Sequence, residues 1–133
     1  MSERLPVPFY APPDRPLWTH DEVDAYYAER LAEGRPIVPL VGATLIRCGG
    51  RPDVSITTIF RMVSAAVFWN DPPVLWETFV IGTPADFTTT RYRSPEDATD
   101  GHRTVVLETQ RALTKRGIPV IDIHLSRGEW WVE

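Results

Sequence analysis

The stretch from Pro72 to Tyr92 constrains the fold most, because it predicts two strands joined by a Gly-Thr-Pro turn. Val74–Ile81 is rich in β-branched and aromatic residues and contains neither Gly nor Pro, as is typical of a strand. Both alternating faces carry bulky apolar side chains, so a central strand covered on both sides is expected. Gly82 and Pro84 interrupt the run, and Asp86–Tyr92 is predicted to resume as the paired strand.

One acidic residue, Glu77, falls inside the apolar part of this predicted hairpin. Leu75 and Phe79 flank it on the same face of the strand. A carboxylate in such a place is costly unless it is paired, and Arg91 or Arg93 on the adjoining strand could supply the partner. A structural ion pair is the simpler interpretation. A carboxylate that lines a binding cleft is the alternative.

Length and charge exclude several classes of protein. The 133 residues predict one domain, long enough to bury a core without metal or disulfide cross-links. A formal net charge of -4, with no basic run, argues against nucleic-acid binding. Cys48 is the only cysteine, so it is expected to be a small core residue in a reducing, cytoplasmic protein. No apolar segment is long enough to cross a membrane, and the N-terminus lacks a secretory signal, so no membrane association is expected.

The N-terminal region differs in composition from the rest of the chain. Prolines are concentrated in residues 1–18, which predicts an extended, partly polyproline-like arm ahead of a single domain over residues 19–133. The arm also carries apolar side chains that favour docking on the domain or on a second subunit: Phe9, Tyr10, Leu17 and Trp18.

Two helices are predicted from their capping residues. Thr19 and Glu22 form a capping-box pattern, and Gly34 ends the first helix. Ser94, followed by Pro and two acids, begins the second, which runs to about Arg116.

The second helix contains the residues Gly101 and His102. Gly101 is expected to let the helix approach the sheet closely. His102 lies on the apolar stripe and would face the sheet near the hairpin. The common role of such a histidine is a buried, hydrogen-bonded side chain, and a ligand-binding or catalytic role is the alternative.

The remaining apolar runs predict further strands. They are Ile37–Cys48, Val54–Phe60 continuing through Met62–Trp69, and Pro119–Leu125. With the hairpin and the two helices, these runs predict a single α+β domain. It would contain an antiparallel sheet of about five strands with two helices packed against it.

Residues 54–106 resemble an uncharacterised family of small proteins encoded in phages and prophages, especially of actinobacteria. The matching segments are Val54-Ser55, Pro72-Pro73-Val74-Leu75-Trp76-Glu77-Thr78-Phe79-Val80-Ile81-Gly82, Arg91-Tyr92-Arg93-Ser94, Asp97-Ala98 and Gly101-His102. Family members usually carry a Gly-Leu-Asp/Asn-His segment before the prolines, where this chain has Arg61-Met62-Val63-Ser64-Ala65. The resemblance implies a phage or prophage setting and no particular chemistry.

The sequence leaves two functions open. No catalytic, nucleotide-binding or metal-binding motif occurs, so a non-enzymatic protein without a cofactor or metal is favoured. The first hypothesis is a phage or prophage accessory protein that binds a protein partner or itself. The aromatic residues expected at its interface are Trp18, Tyr26, Tyr27, Trp130 and Trp131.

The second hypothesis is a small enzyme or a small-ligand-binding protein. Its pocket would be formed by Glu77, Arg91 and His102, because the helix is expected to cover the hairpin. Mimicry of nucleic acid ranks last, because the acidic residues are interspersed with arginines.

Overall fold

The computed structural model describes residues 3–66, 71–82 and 89–133. In chain order the elements are β1 (Arg4–Ala11), β2 (Arg15–Thr19), α1 (His20–Ala32), β3 (Leu40–Cys48), β4 (Val54–Phe60), β5 (Trp76–Ile81), β6 (Thr90–Tyr92), α2 (Pro95–Lys115) and β7 (Val120–Arg127).

Five of the strands form one antiparallel sheet in the order β6-β5-β4-β3-β7. With the two helices this arrangement confirms the predicted α+β class. Strand β7 follows α2 in sequence but pairs with β3, so the chain crosses the whole sheet between β6 and β7. This crossover places β7 at an edge of the sheet.

Both helices begin at the predicted caps. The Thr19 hydroxyl accepts a hydrogen bond from the Glu22 amide at 3.1 Å, and the Ser94 hydroxyl accepts one from the Asp97 amide at 3.1 Å. These bonds satisfy amide donors that a helix terminus otherwise leaves unpaired. The N-terminal boundaries of the helices are therefore set by local sequence.

The proline-rich N-terminal region is part of the core. Residues 1–18 are predicted as an extended arm, but β1 and β2 pair as a two-stranded antiparallel sheet. Tyr10 and Leu17 are buried in the same cluster as Phe60 and Trp76 of the main sheet. Strand pairing is compatible with these prolines because a two-stranded ribbon leaves the outer backbone groups of both strands without a strand partner.

Helix α2 covers one face of the five-stranded sheet, whereas α1 packs on β1 and β2. Trp76, Thr78 and Val80 of β5 are buried on the α2 face, but Glu77 on the other face is only partly buried and Ile81 is exposed. The expectation that this strand is covered on both sides is therefore wrong. Its second face holds an ion pair and an exposed strand end.

The predicted continuation of β4 through Met62–Trp69 is not a strand over the part that the structure describes. The segment instead stays beside the residues that precede β5: the Arg61 amide donates to the Leu75 carbonyl, and the Ala65 amide donates to the Val74 carbonyl. Residues 67–70 lie outside the described residues. The predicted Gly-Thr-Pro turn beyond Gly82 and the start of its second strand also fall outside them, over residues 83–88.

Candidate functional site

The C-terminal tryptophans, predicted at an interface, pack against the chain itself. The Trp130 ring lies 5.6 Å from the Trp76 ring, and the Trp131 ring lies 5.6 Å from His102. A side chain at Gly42 would collide with Trp131, because a Cβ there would lie 2.8 Å from the ring. Both tryptophan side chains are therefore partly buried against the core of the same chain.

The other three predicted interface aromatics also have intramolecular contacts. Tyr26 is buried in the core, and burial raises the pKa of its phenol. Tyr27 is partly buried against the same cluster. The Arg4 guanidinium lies 4.1 Å from the centre of the Trp18 ring. These residues hold the N-terminal region and α1 together, so they do not form a free aromatic surface.

Glu77 forms an ion pair on the face of the sheet opposite α2. Its carboxylate lies 3.8 Å from Arg91, as predicted, and 3.7 Å from Arg61, which the sequence did not indicate. Arg91 lies directly opposite Glu77 in the pairing of β5 with β6. Arg93, the other predicted partner, is exposed. The geometry supports the structural interpretation of Glu77.

His102 lies at the centre of a buried hydrogen-bonded network between α2 and the sheet. It is 1% exposed. Its Nε2 lies 2.7 Å from the Thr44 hydroxyl, and its Nδ1 lies 2.7 Å from the Thr58 hydroxyl, which also bonds to Thr78. Burial, and secondarily the nearby charge of Arg103, lower the pKa of His102 from 6.5 to about 4. The imidazole is therefore neutral at pH 7, with both ring nitrogens engaged.

The structure does not bring the three predicted pocket residues together. Thr78 joins the His102 network on the α2 face, so Glu77, the preceding residue, points to the opposite face. Arg91 accompanies Glu77. The predicted pocket lined by Glu77, Arg91 and His102 is therefore wrong, because the sheet separates the histidine from the ion pair.

A groove runs between α2 and β7, with a volume of about 400 Å³. Its walls are mainly apolar and include Val106 and Leu107 of α2 and Ile123 and Leu125 of β7, with His102 at its base. We call these four apolar residues, together with the neighbouring Ile121, the α2–β7 surface. Four of its side chains are well exposed: Leu107 at 53%, Ile121 at 62%, Ile123 at 39% and Leu125 at 38%.

Two arginines at one end of the groove already have partners. Arg103 lies 3.3 Å from Asp100 and stacks on the face of Trp131, and Arg127 lies 2.7 Å from Glu133. Both arginines therefore have a carboxylate neighbour, and most of the other residues that line the groove are apolar.

Sequence reasoning missed this surface. The alternation of Ile121, Ile123 and Leu125 with Asp122 and His124 indicates a strand with one apolar face. The same pattern fits an interior strand covered by a helix. Only the sheet order shows that β7 lies at the edge, where α2 does not fully cover it.

Searches against protein-family models, curated proteins and solved structures find no match to this chain. None of the described helices is long and apolar enough to cross a bilayer.

Proposed function

We propose that this protein acts by binding another protein chain through the α2–β7 surface. The observation that carries the proposal is the position of the exposed apolar side chains. Leu107 and Ile121–Leu125 lie together beside a groove and along a sheet edge. Contiguous exposed apolar groups of this kind mark sites of protein interaction.

The backbone of β7 strengthens this proposal. Among the described strands, β7 pairs only with β3. From Asp122 to Arg127, where this pairing is regular, the N–H and C=O groups of alternate residues therefore point away from the sheet. A strand from a partner can satisfy these groups and bury the adjoining apolar side chains at the same time. The two kinds of contact coincide on the α2–β7 surface.

The residues considered for catalysis give less support to an enzyme. His102 is buried, and hydroxyl groups engage both of its ring nitrogens. Glu77 faces away from it and is paired with two arginines. His102 and Glu77 therefore cannot act together on a molecule bound in the groove.

The setting is also part of the proposal. The resemblance of residues 54–106 to phage- and prophage-encoded proteins supports an accessory role inside an infected or lysogenic bacterium. A cytoplasmic location follows from that setting, and the partner would be either a host protein or a second copy of this chain.

Affinity capture with a matched pair of variants tests this function. Ile123→Lys places a charge at the centre of β7, whereas Ile81→Lys makes the same change at the end of β5, where Ile81 is 60% exposed. Proteins captured from an actinobacterial lysate, including untagged copies of this chain, are compared for the wild type and both variants. Circular dichroism checks that each variant folds.

Loss of a captured protein with Ile123→Lys, together with its retention by Ile81→Lys, is the expected result. Equal capture by all three proteins would contradict the assignment of the α2–β7 surface.

A further inference from the structure

We infer that the partner of the α2–β7 surface is a second copy of this chain. Strand β7 would pair with its counterpart in an antiparallel manner about a two-fold axis at Ile123. This inference rests on the proposed function and adds to it the identity of the partner and the register of pairing. It follows from the exposure, position and sequence pattern of one strand.

The first argument is that β7 lacks most of the features that usually protect an edge strand. Natural edges are kept from pairing by short length, proline, lysine, inward-pointing charges or β-bulges. Strand β7 spans eight residues, VIDIHLSR, and contains neither proline nor lysine. Its pairing with β3 is irregular at Ile121 but regular from Asp122 to Arg127. At the opposite edge of the sheet, the described strand β6 spans only Thr90–Tyr92. Over the residues that the structure describes, β7 is therefore the longer of the two edges of the sheet.

The second argument is that the sequence of β7 complements itself. When two antiparallel copies are centred on Ile123, each Ile123 faces its counterpart, and each Asp122 faces the partner's His124. The carboxylate can accept a hydrogen bond from the imidazole on both sides of the axis. Leu125 then lies opposite Ile121, where the regular part of β7 ends.

The faces of the strand agree with this register. Leu125 and Ile123 lie opposite Thr44 and Ile46 of β3, both buried on the α2 face, so the apolar contacts would form on that face. Asp122 and His124 project to the other side. Asp122 already lies 3.6 Å from the exposed Arg47 there, and a partner's imidazole would add to this exposed polar cluster.

The nearest alternative register is less favourable. Centring the pair on His124 would place the two imidazoles opposite each other and Asp122 opposite Ser126. The two carboxylate–imidazole pairs would be lost. A shift by a single position would instead set the apolar face of one copy against the polar face of the other. Charge and apolar pattern together therefore select Ile123 as the centre.

Single cysteine substitutions test both the partner and the register. Directly opposite residues in antiparallel strands have Cα atoms about 4.5–5.5 Å apart, within the range of a disulfide. Residues at the next same-face position are displaced by about 7 Å along the strand, beyond that range. Ile123→Cys and His124→Cys are oxidised with copper–phenanthroline and separated on a non-reducing gel. Wild-type protein, whose Cys48 is buried, is the control.

A covalent dimer with Ile123→Cys, and at least tenfold less with His124→Cys, is the expected result. Dominant cross-linking of His124→Cys would overturn the register. The absence of a cross-link with both variants would overturn self-pairing. If Ile123→Lys still abolished capture of a different protein in that case, the proposed function would stand and only this inference would fail.

Discussion

His102 gives α2 a polar contact with the centre of an otherwise apolar sheet. Its hydrogen bonds to Thr44 and Thr58 come from two neighbouring strands, and Thr78 of a third strand extends the network. A buried polar group stabilises the fold only when it is fully bonded, because each unsatisfied group costs about 1–3 kcal/mol. The network therefore fixes the position of α2 along the sheet, and with it the position of the groove.

The lowered pKa of His102 predicts a specific loss of stability in acid. The folded protein holds the group at a pKa of about 4, against 6.5 ordinarily, so the unfolded chain binds the proton more readily between these values. The stabilisation is complete above pH 6.5 and is lost as the pH falls from 6.5 to 4. It amounts to about 3 kcal/mol. Urea unfolding of the wild type and His102→Gln at several pH values measures this loss of stability.

We expect His102→Gln to be less stable than the wild type at pH 7 but to lose less stability on acidification. Thr58→Val is the control, because it removes one hydrogen bond and keeps the imidazole. It should retain the steeper pH dependence. Parallel pH profiles for the wild type and His102→Gln would contradict the assignment.

Gly101 permits the close approach of α2 to β6. A Cβ at this position would overlap the ring of Tyr92. Gly101→Ala should therefore destabilise the protein by about 1–3 kcal/mol, although alanine is the better helix former. In a Tyr92→Ala background the same change should instead stabilise it by up to about 1 kcal/mol. Thermal unfolding of the wild type, the two single variants and the double variant measures both effects. If Gly101→Ala changed the stability in the same direction in both backgrounds, the prediction would be contradicted.

At the scale of elements, residues 128–133 are held to α1 by an ion pair between the buried Arg30 and the more exposed Glu129. The Arg30 guanidinium bonds to both carboxylate oxygens of Glu129, one at 3.0 Å, and to the Pro36 carbonyl. The hydrogen bonds that Arg30 donates to Glu129 raise the pKa of Arg30. Because Arg30 is buried, loss of its partner would leave a charge without compensation.

Glu129→Ala should therefore lower the free energy of unfolding by about 3 kcal/mol. The neighbouring Arg35 also lies near Glu129, at 3.4 Å, but is largely exposed. Its replacement by alanine should cost no more than about 1 kcal/mol. Chemical denaturation measures both values, and equal effects of the two changes would show that burial of Arg30 does not matter.

Local signals in the sequence predict the elements well where the signal is itself local. The caps at Thr19 and Ser94 are bonded to the residues that the capping patterns indicate. The Glu77–Arg91 pair follows from adjacency on a predicted hairpin. Prolines mislead in residues 1–18, because a two-stranded ribbon tolerates them and Tyr10 and Leu17 find partners in a distant part of the chain.

At the scale of the whole molecule, the candidate site depends on strand order, which pairs residues far apart in sequence. Strand β7 pairs with β3 about 80 residues earlier, and its apolar pattern reads the same for an interior strand or an edge strand. The sequence also places His102 correctly over the sheet but cannot show that Glu77 points to the other side. Fold class was therefore predictable, and the site was not.

The arrangement of α2 explains why one edge remains open. The helix packs on β3, β4, β5 and β6, and touches β7 only lightly. One helix cannot cover the full width of five strands, because strands lie about 4.8 Å apart and a helix is about 10 Å across. The uncovered apolar side chains of β7 are those that the proposed dimer would bury.

Sedimentation equilibrium over a range of protein concentrations tests self-association through β7 most directly. A chain of 15.1 kDa should form a species of twice that mass. Ile123→Lys should remain a monomer, and Ile81→Lys should behave as the wild type does. A wild-type protein that stays monomeric at every concentration, or an Ile123→Lys variant that still dimerises, would contradict the account.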